Sequence, residues 1–174
     1  MATLVSGPAQ ITINPAGPSI VINKDEQLAD CTVSLEKDIF ELRSQISSRP
    51  VAYIQTGASL SLRISVADMD KKLDLIALAF GGTVVTTGSK RKIVVTNNAG
   101  ANVVGRPIIV KPYIGDAVSS AANDWVTIHN AMLIDTADTE LSYGLSTQQS
   151  IVIRFMAVPD AATGNLFTFG DTTA

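Results

Sequence analysis

The chain has 174 residues, 46% of them hydrophobic, with a net charge of −3, a pI of about 5.0 and a mean hydropathy of +0.27. That length can bury one sizeable core and is too short for two full domains, so a single domain over 1–174 is expected. The charged fraction of 17% is low against the roughly 25% of ordinary globular chains, which points to surface covered by an interface, and the longest basic run, "KRK" at 90–92, is too small to grip a phosphate backbone.

The first fifty residues read as short extended pieces. "AQITIN" and "PSIVIN" flank the turn residues "PAG", and "DCTVSLEKD" and "IFELRSQI" follow the polar "NKDEQLAD". Ile11 and Ile13, then Ile20 and Ile22, then Cys31, Val33 and Leu35 alternate with smaller or polar residues, as half-buried strands do. Ser47 to Gly57, "SSRPVAYIQTG", is expected to be an exposed connection, because Pro50 removes a ladder donor.

From Ala58 to Val66 the apolar residues Leu60, Leu62, Ile64 and Val66 fall on every second position, predicting a strand. The spacing then changes to Met69, Leu73, Ile76 and Phe80, a helical stripe over about 68–80, with Asp68 as N-cap and Gly81 at the αL C-cap. "TVVTTGSKRKIVVTN" predicts a hairpin with a basic tip, and "NAGANVVGR" a loop. "RPIIVKPYIG" is extended, with Pro107 and Pro112 arguing for an edge position at its ends. "NDWVTIHNAMLID" alternates in both registers, as a strand covered on both faces does. "QQSIVIRFMAVPD" places Ile151, Ile153 and Phe155 on one side of a firm late strand, and "GNLFTFGD" closes the chain.

Eight to ten strands with one helix and no strand–helix alternation predict a mainly antiparallel α+β domain. Its expected form is two packed sheets, a sandwich or barrel, with the helix at about 68–80 flanking one end.

The residue types that carry chemistry are sparse. His129, the only histidine, sits in an alternating strand and lacks an oriented nucleophile. Cys31 reads as a small buried residue, and no Cys/His cluster suggests zinc. Asp68, Asp70 and Asp74 could hold a cation, but Asp68 and Asp70 are better explained by the helix start. The glycine-containing pieces match neither the phosphate loop nor the dinucleotide fingerprint. Trp125 reads as an anchor before a ligand platform. No catalytic, metal or cofactor residues are assigned, and no enzyme is expected. With no apolar run of about 18 residues and no uninterrupted apolar leader, a soluble chain made in a cytoplasm is expected.

The order of these pieces, "LSLRISVADMDKKLDLIALAFG", the basic hairpin, "GRPIIVKPY", "DWVTIHNAMLI" and "QQSIVIRFMAVPDAATGNLFTFGD", resembles the tail tube proteins of long-tailed bacteriophages from about residue 28 onward. The resemblance implies a structural virion protein made in the bacterial host cytoplasm and located in the virion tail. Copies would form hexameric rings stacked into a hollow tube that delivers DNA without binding it specifically. It implies no cofactor and no membrane, with other tail proteins such as tape measure, terminator, baseplate and sheath as partners. By resemblance the segment 47–57 is the loop or hairpin that reaches the neighbouring ring, with Arg49, Pro50, Tyr53 and Gln55 as stacking contacts. The strand carrying Ile151, Ile153 and Phe155 joins subunits, the N-terminal segment 1–25 docks between copies or adds a hairpin to the wall, and the C-terminal tail 168–174 docks between copies. A single-ring hub, terminator or baseplate part of the same fold is an alternative. A carbohydrate-binding β-sandwich is another, against which the 5% aromatic content counts.

Overall fold

Alternating apolar residues over most of the chain produce a fold of antiparallel ladders. The structure is a computed structural model that describes residues 2–43, 50–67, 69–96, 103–133, 140–142 and 150–173. In chain order the strands are β1 (Ala2–Gly7), β2 (Ala9–Ile13), β3 (Ile20–Ile22), β4 (Gln27–Arg43) and β5 (Pro50–Val66). The helix α1 (Met69–Phe80) and the hairpin β6 (Thr83–Thr87) and β7 (Lys90–Val94) follow. Then come β8 (Arg106–Ile114), β9 (Ala117–Val118), β10 (Val126–Met132), β11 (Glu140–Ser142), β12 (Ser150–Ala157) and β13 (Phe167–Phe169).

Eleven of the described strands share one sheet along the path β1-β4-β5-β12-β10-β8-β2-β3, with β9, β11 and β13 attached to β8, β12 and β10. Side chains from distant parts of this path meet in one cluster. Ile11, Ile13 and Ile22 lie with Val33, Leu62, Ile128 and Ile153, all sealed from solvent. A flat sheet could not do this, so the sheet coils and turns one apolar face inward, as strand twist permits. The expectation of a mainly antiparallel fold with one flanking helix agrees with this structure. The two-sheet sandwich is corrected: the second sheet is only the β6–β7 hairpin, and β1 and β3 at the ends of the large sheet do not pair to close a barrel. Local alternation tells each strand which side faces inward, but not which strand lies beside it.

The N-terminal segment enters the wall. β2 pairs with β3 and with β8, setting Ile11 opposite both Ile22 and Val110. That pairing also makes β8 an interior strand between β2 and β10, which corrects the edge position argued from its prolines. Pro107 and Pro112 serve there through their carbonyls, accepting from the backbone N–H of Asn14 and Ser119 at 2.8 Å each.

The helix ends as its glycine requires. Gly81 adopts φ 64° and the Gly82 amide donates to the Ala77 carbonyl at 2.8 Å, the six-to-one bond of a Schellman cap. The buried stripe is rotated from the expected one. Leu75 is the fully buried residue, Ile76, Leu78 and Ala79 pack beside it, and Phe80 is exposed. The helix lies on the inner face against β3, β6, β7 and β12. The Asp68 cap lies outside the described residues. Asp74 pairs instead with Arg91 of the hairpin at 2.7 Å, so the acidic helix face and the basic tip hold each other. Gly88, at φ 59°, fills the first of the two turn positions in that hairpin, where a primed turn needs positive φ.

One contact gives a direct stability test. A Cβ added at Gly105 would stand 1.6 Å from Asn130 Oδ1. Gly105→Ala is therefore expected to lower unfolding free energy by about 1–3 kcal/mol in chemical denaturation. The additional change Asn130→Ala is expected to recover part of that loss, since the two sites are in contact.

Candidate assembly surface

β4 and β5 are each 17 residues long, far beyond the rest of the sheet. Beside β4, strand β1 reaches only as far as the pair Ala2↔Leu35, and beside β5, strand β12 reaches only the pair Met156↔Ser61. From Glu36 to Arg43 and from Pro50 to Ser59 the two strands continue as a ribbon, with no third strand beside them among the described residues. Such an isolated two-stranded ribbon is marginal in water, because both outer edges keep unpaired amides and carbonyls.

The side chains of the ribbon invert the pattern of the body. In the body the face turned from the core is polar, with Thr32 opposite Arg63 and Ser34 opposite Ser61. Farther out the same face of β4 carries Phe40 and Leu42, set opposite Ile54 and Ala52. Phe40 is 56% and Ile54 50% exposed. Between the two regions Thr56 is the extra residue of a bulge, its hydroxyl donating to the Asp38 carbonyl at 3.3 Å. A bulge bends and twists a ribbon, so the arm leaves the body at a changed angle. The other face combines Ile39, Tyr53 and Gln55 with Glu41, which Arg43 pairs at 3.2 Å. Both faces therefore present apolar groups to solvent, an arrangement that marks an interaction site.

Over its described part the expected connection at 47–57 is exposed as expected, but it is strand and not loop. Pro50 through Gly57 belong to β5. Pro50 opens the strand, a place where its missing N–H is tolerated. Gly57 lies opposite Asp38, and a Cβ there would come within 2.9 Å of the carboxylate. Pro50, Tyr53 and Gln55 all sit on this arm; Arg49 lies outside the described residues. Sequence reasoning missed Ile39, Phe40, Leu42 and Ile54. The alternation in "IFELRSQI" is a visible signal, but it does not tell a solvated strand from a buried one.

Ile151, Ile153 and Phe155 fall elsewhere. They are 1%, 0% and 3% exposed, and β12 is flanked by β5 on one side and by β11 and β10 on the other. Their side chains therefore build the core, and β12 is bonded to β5 along Ile151–Met156 and, among the described residues, to β11 and β10 at its two ends. The described strands at the ends of the path are β1 and β3.

The residues weighed for chemistry have structural work. His129 Nε2 lies 2.7 Å from Thr168 Oγ1, tying β13 to β10. Trp125 donates its indole N–H to the Ser119 carbonyl at 3.0 Å, and the Lys111 ammonium covers its ring at 3.8 Å. Cys31 is buried, and burial first, with the Asp30 charge second, pushes its thiol up to about 12. Among the described residues no three His, Cys, Asp or Glu side chains converge as a metal-binding set, and no helix is long and apolar enough to cross a membrane.

The closing segment "PDAATG" folds as a self-contained turn. Asp160 accepts from the Thr163 hydroxyl at 2.8 Å and from its amide at 3.1 Å, and Gly164 turns at φ 73°. Those bonds, the hydroxyl first, hold the Asp160 carboxyl below its ordinary range, and Thr173 does the same for Asp171. A carboxylate with a lowered folded pKa stabilises above its unfolded value, about 3.9, and that contribution disappears as pH falls through the folded pKa. Replacing both aspartates by asparagine is accordingly expected to lower the melting temperature slightly at pH 7 and to flatten its fall below about pH 4.

Compared with known proteins, the chain matches no family model and no curated sequence.

Proposed function

We propose that this chain is a self-assembling structural protein whose copies form rings that stack into a tube of the phage-tail kind, a passage for DNA. The observation that carries the reading is the β4–β5 arm, an apolar, edge-exposed ribbon on a body that needs none of it for its own core. Energetics favours a repeated contact. Burying Phe40, Leu42 and Ile54 is worth roughly 1.5–3 kcal/mol each, whereas bringing two chains together costs about 4–15 kcal/mol. A single arm contact therefore holds a pair weakly, while a closed ring repeats the contact and removes open edges at the same time. The low charged fraction and net charge of −3 agree with extensive mutual coverage and with a lumen that does not hold phosphates. Pro50, Tyr53 and Gln55 act as copy-to-copy contacts in this reading, and the joining edges are β1 and β3.

Negative-stain electron microscopy of the concentrated protein, without nucleic acid, tests the proposal. Hollow tubes of stacked rings are expected. Rings that never lengthen would reassign the chain to a single-ring tail part, and particles no larger than a monomer would remove the self-assembling reading.

A further inference from the structure

The β6–β7 hairpin forms a sheet of its own with one covered face and one open face. Val84, Arg91 and Ile93 are half-buried on the side of α1, where Arg91 meets Asp74. On the other side Thr83 stands opposite Val94, Val85 opposite Lys92 and Thr87 opposite Lys90, and all six are exposed. From base to tip this open face passes from apolar to basic, and it carries no acid.

The outer face of the β4–β5 arm has the opposite charge. Its base carries Glu36 and Asp38, and its far half carries Phe40 and Leu42 opposite Ile54 and Ala52, all exposed. Lys37 and Arg43 stand on the other face with Glu41. Side chains on one face of a strand recur every second residue, so the two surfaces match row by row when β7 of one copy lies along β4 of another. Lys90 then meets Glu36, Lys92 meets Asp38 and Val94 meets Phe40. Turned end for end, the contact would press carboxylates onto valines and ammonium groups onto Phe40 and Leu42, which is costly.

We infer that the outer face of the arm docks on the open face of the β6–β7 hairpin of a second copy, acids on lysines and Phe40 and Ile54 on Val94 and Val85. The inference rests on the self-assembling reading and adds the surface that receives the arm. A second copy is required because arm and hairpin lie at opposite ends of the body. β5 runs from the arm to Val66, just before α1. β10 and β5 are both antiparallel to β12, so β10 runs in the same direction as β5 and its end points away from the arm. Leu133, just past that end, shares a cavity with the last turn of α1 and with Gly82 and Val84 at the hairpin base. Contact between unlike surfaces at opposite ends joins copies head to tail, and such a contact builds a filament where no rotation closes it. That is the direction in which rings stack, and it leaves the strand edges to close each ring.

Charge exchange in the full chain tests this, with sedimentation velocity as the readout. The four charged residues are exposed, so their reversal spares the fold, and circular dichroism checks that it does. Lys90→Glu with Lys92→Glu is expected to raise the concentration needed for assembly about tenfold or more, and so is Glu36→Lys with Asp38→Lys. A chain with all four reversals keeps the pairing with its signs exchanged and is expected to assemble near the wild-type concentration. Cysteine variants then place the contact, since Cys31 is buried and does not compete. Phe40→Cys mixed with Val94→Cys under mild oxidation is expected to give a cross-linked dimer, and Phe40→Cys mixed with Ile114→Cys to give none. Unchanged assembly of either double reversal, no recovery in the fourfold chain, or cross-linking to Ile114→Cys in place of Val94→Cys would overturn the inference and leave the self-assembling reading standing. A wild-type chain that stays monomeric at every concentration would overturn both.

Discussion

Replacing Phe40 and Ile54 together by aspartate is expected to abolish self-association and leave the chain folded. The two residues face each other across β4 and β5 on the outer side of the arm, half exposed and outside the core cluster. In the separate chain the change gives up their cross-strand contact and sets two carboxylates opposite each other, a modest cost confined to the ribbon. The expected change in melting temperature is small, in line with the roughly ±0.5 kcal/mol typical of surface substitutions. In an assembly the same two carboxylates would be buried without partners, at a cost of several kcal/mol per contact, which a repeated weak contact cannot absorb. Sedimentation and circular dichroism on the same sample separate the two effects. A variant that unfolds would place the arm inside the cooperative core; one that assembles normally would remove the arm from the interface.

Ile153→Ala is expected to do the reverse. Its side chain is fully buried in β12, set opposite Ile64 and surrounded by the common core. Truncation leaves a cavity and is expected to lower unfolding free energy by about 2–5 kcal/mol, a large share of the 5–15 kcal/mol typical of a domain. Urea denaturation would show a shifted midpoint with unchanged slope. Any loss of assembly in this variant would follow the loss of fold and be relieved by cooling or by a stabilising second change. If stability were unaffected while assembly vanished, β12 would be a subunit seam after all.

The contrast between these residues shows what the sequence could disclose. The alternation over Ser150–Ala157 and Ala58–Val66 states plainly which side chains turn inward, because burial on one face imposes period two. The change of period after Val66 marks the helix equally well, and Gly81 marks its end. The alternation of Phe40 and Leu42 looks the same on paper, yet these residues face solvent. Periodicity records which face is apolar but not whether the chain itself covers it. Pro50 and Gly57 concealed the arm for a second reason. Both break strands in general, but Pro50 occupies a first position and Gly57 makes room for Asp38. The rotated helix stripe has a related cause: Leu75 and Phe80 are both apolar, and only the placement of β3, β7 and β12 decides which of them is covered. Strand neighbours are the least legible feature. That β8 lies beside β2 depends on contacts about a hundred residues apart, such as Ile11 with Val110, and no local pattern carries that.

Sedimentation velocity over a rising concentration series tests the central claim most directly. The account predicts that the 18.3 kDa chain gives way to much larger species as concentration rises, and that the Phe40 and Ile54 double aspartate variant stays a monomer throughout. A wild-type chain that sediments as one monomeric species at every concentration would contradict it.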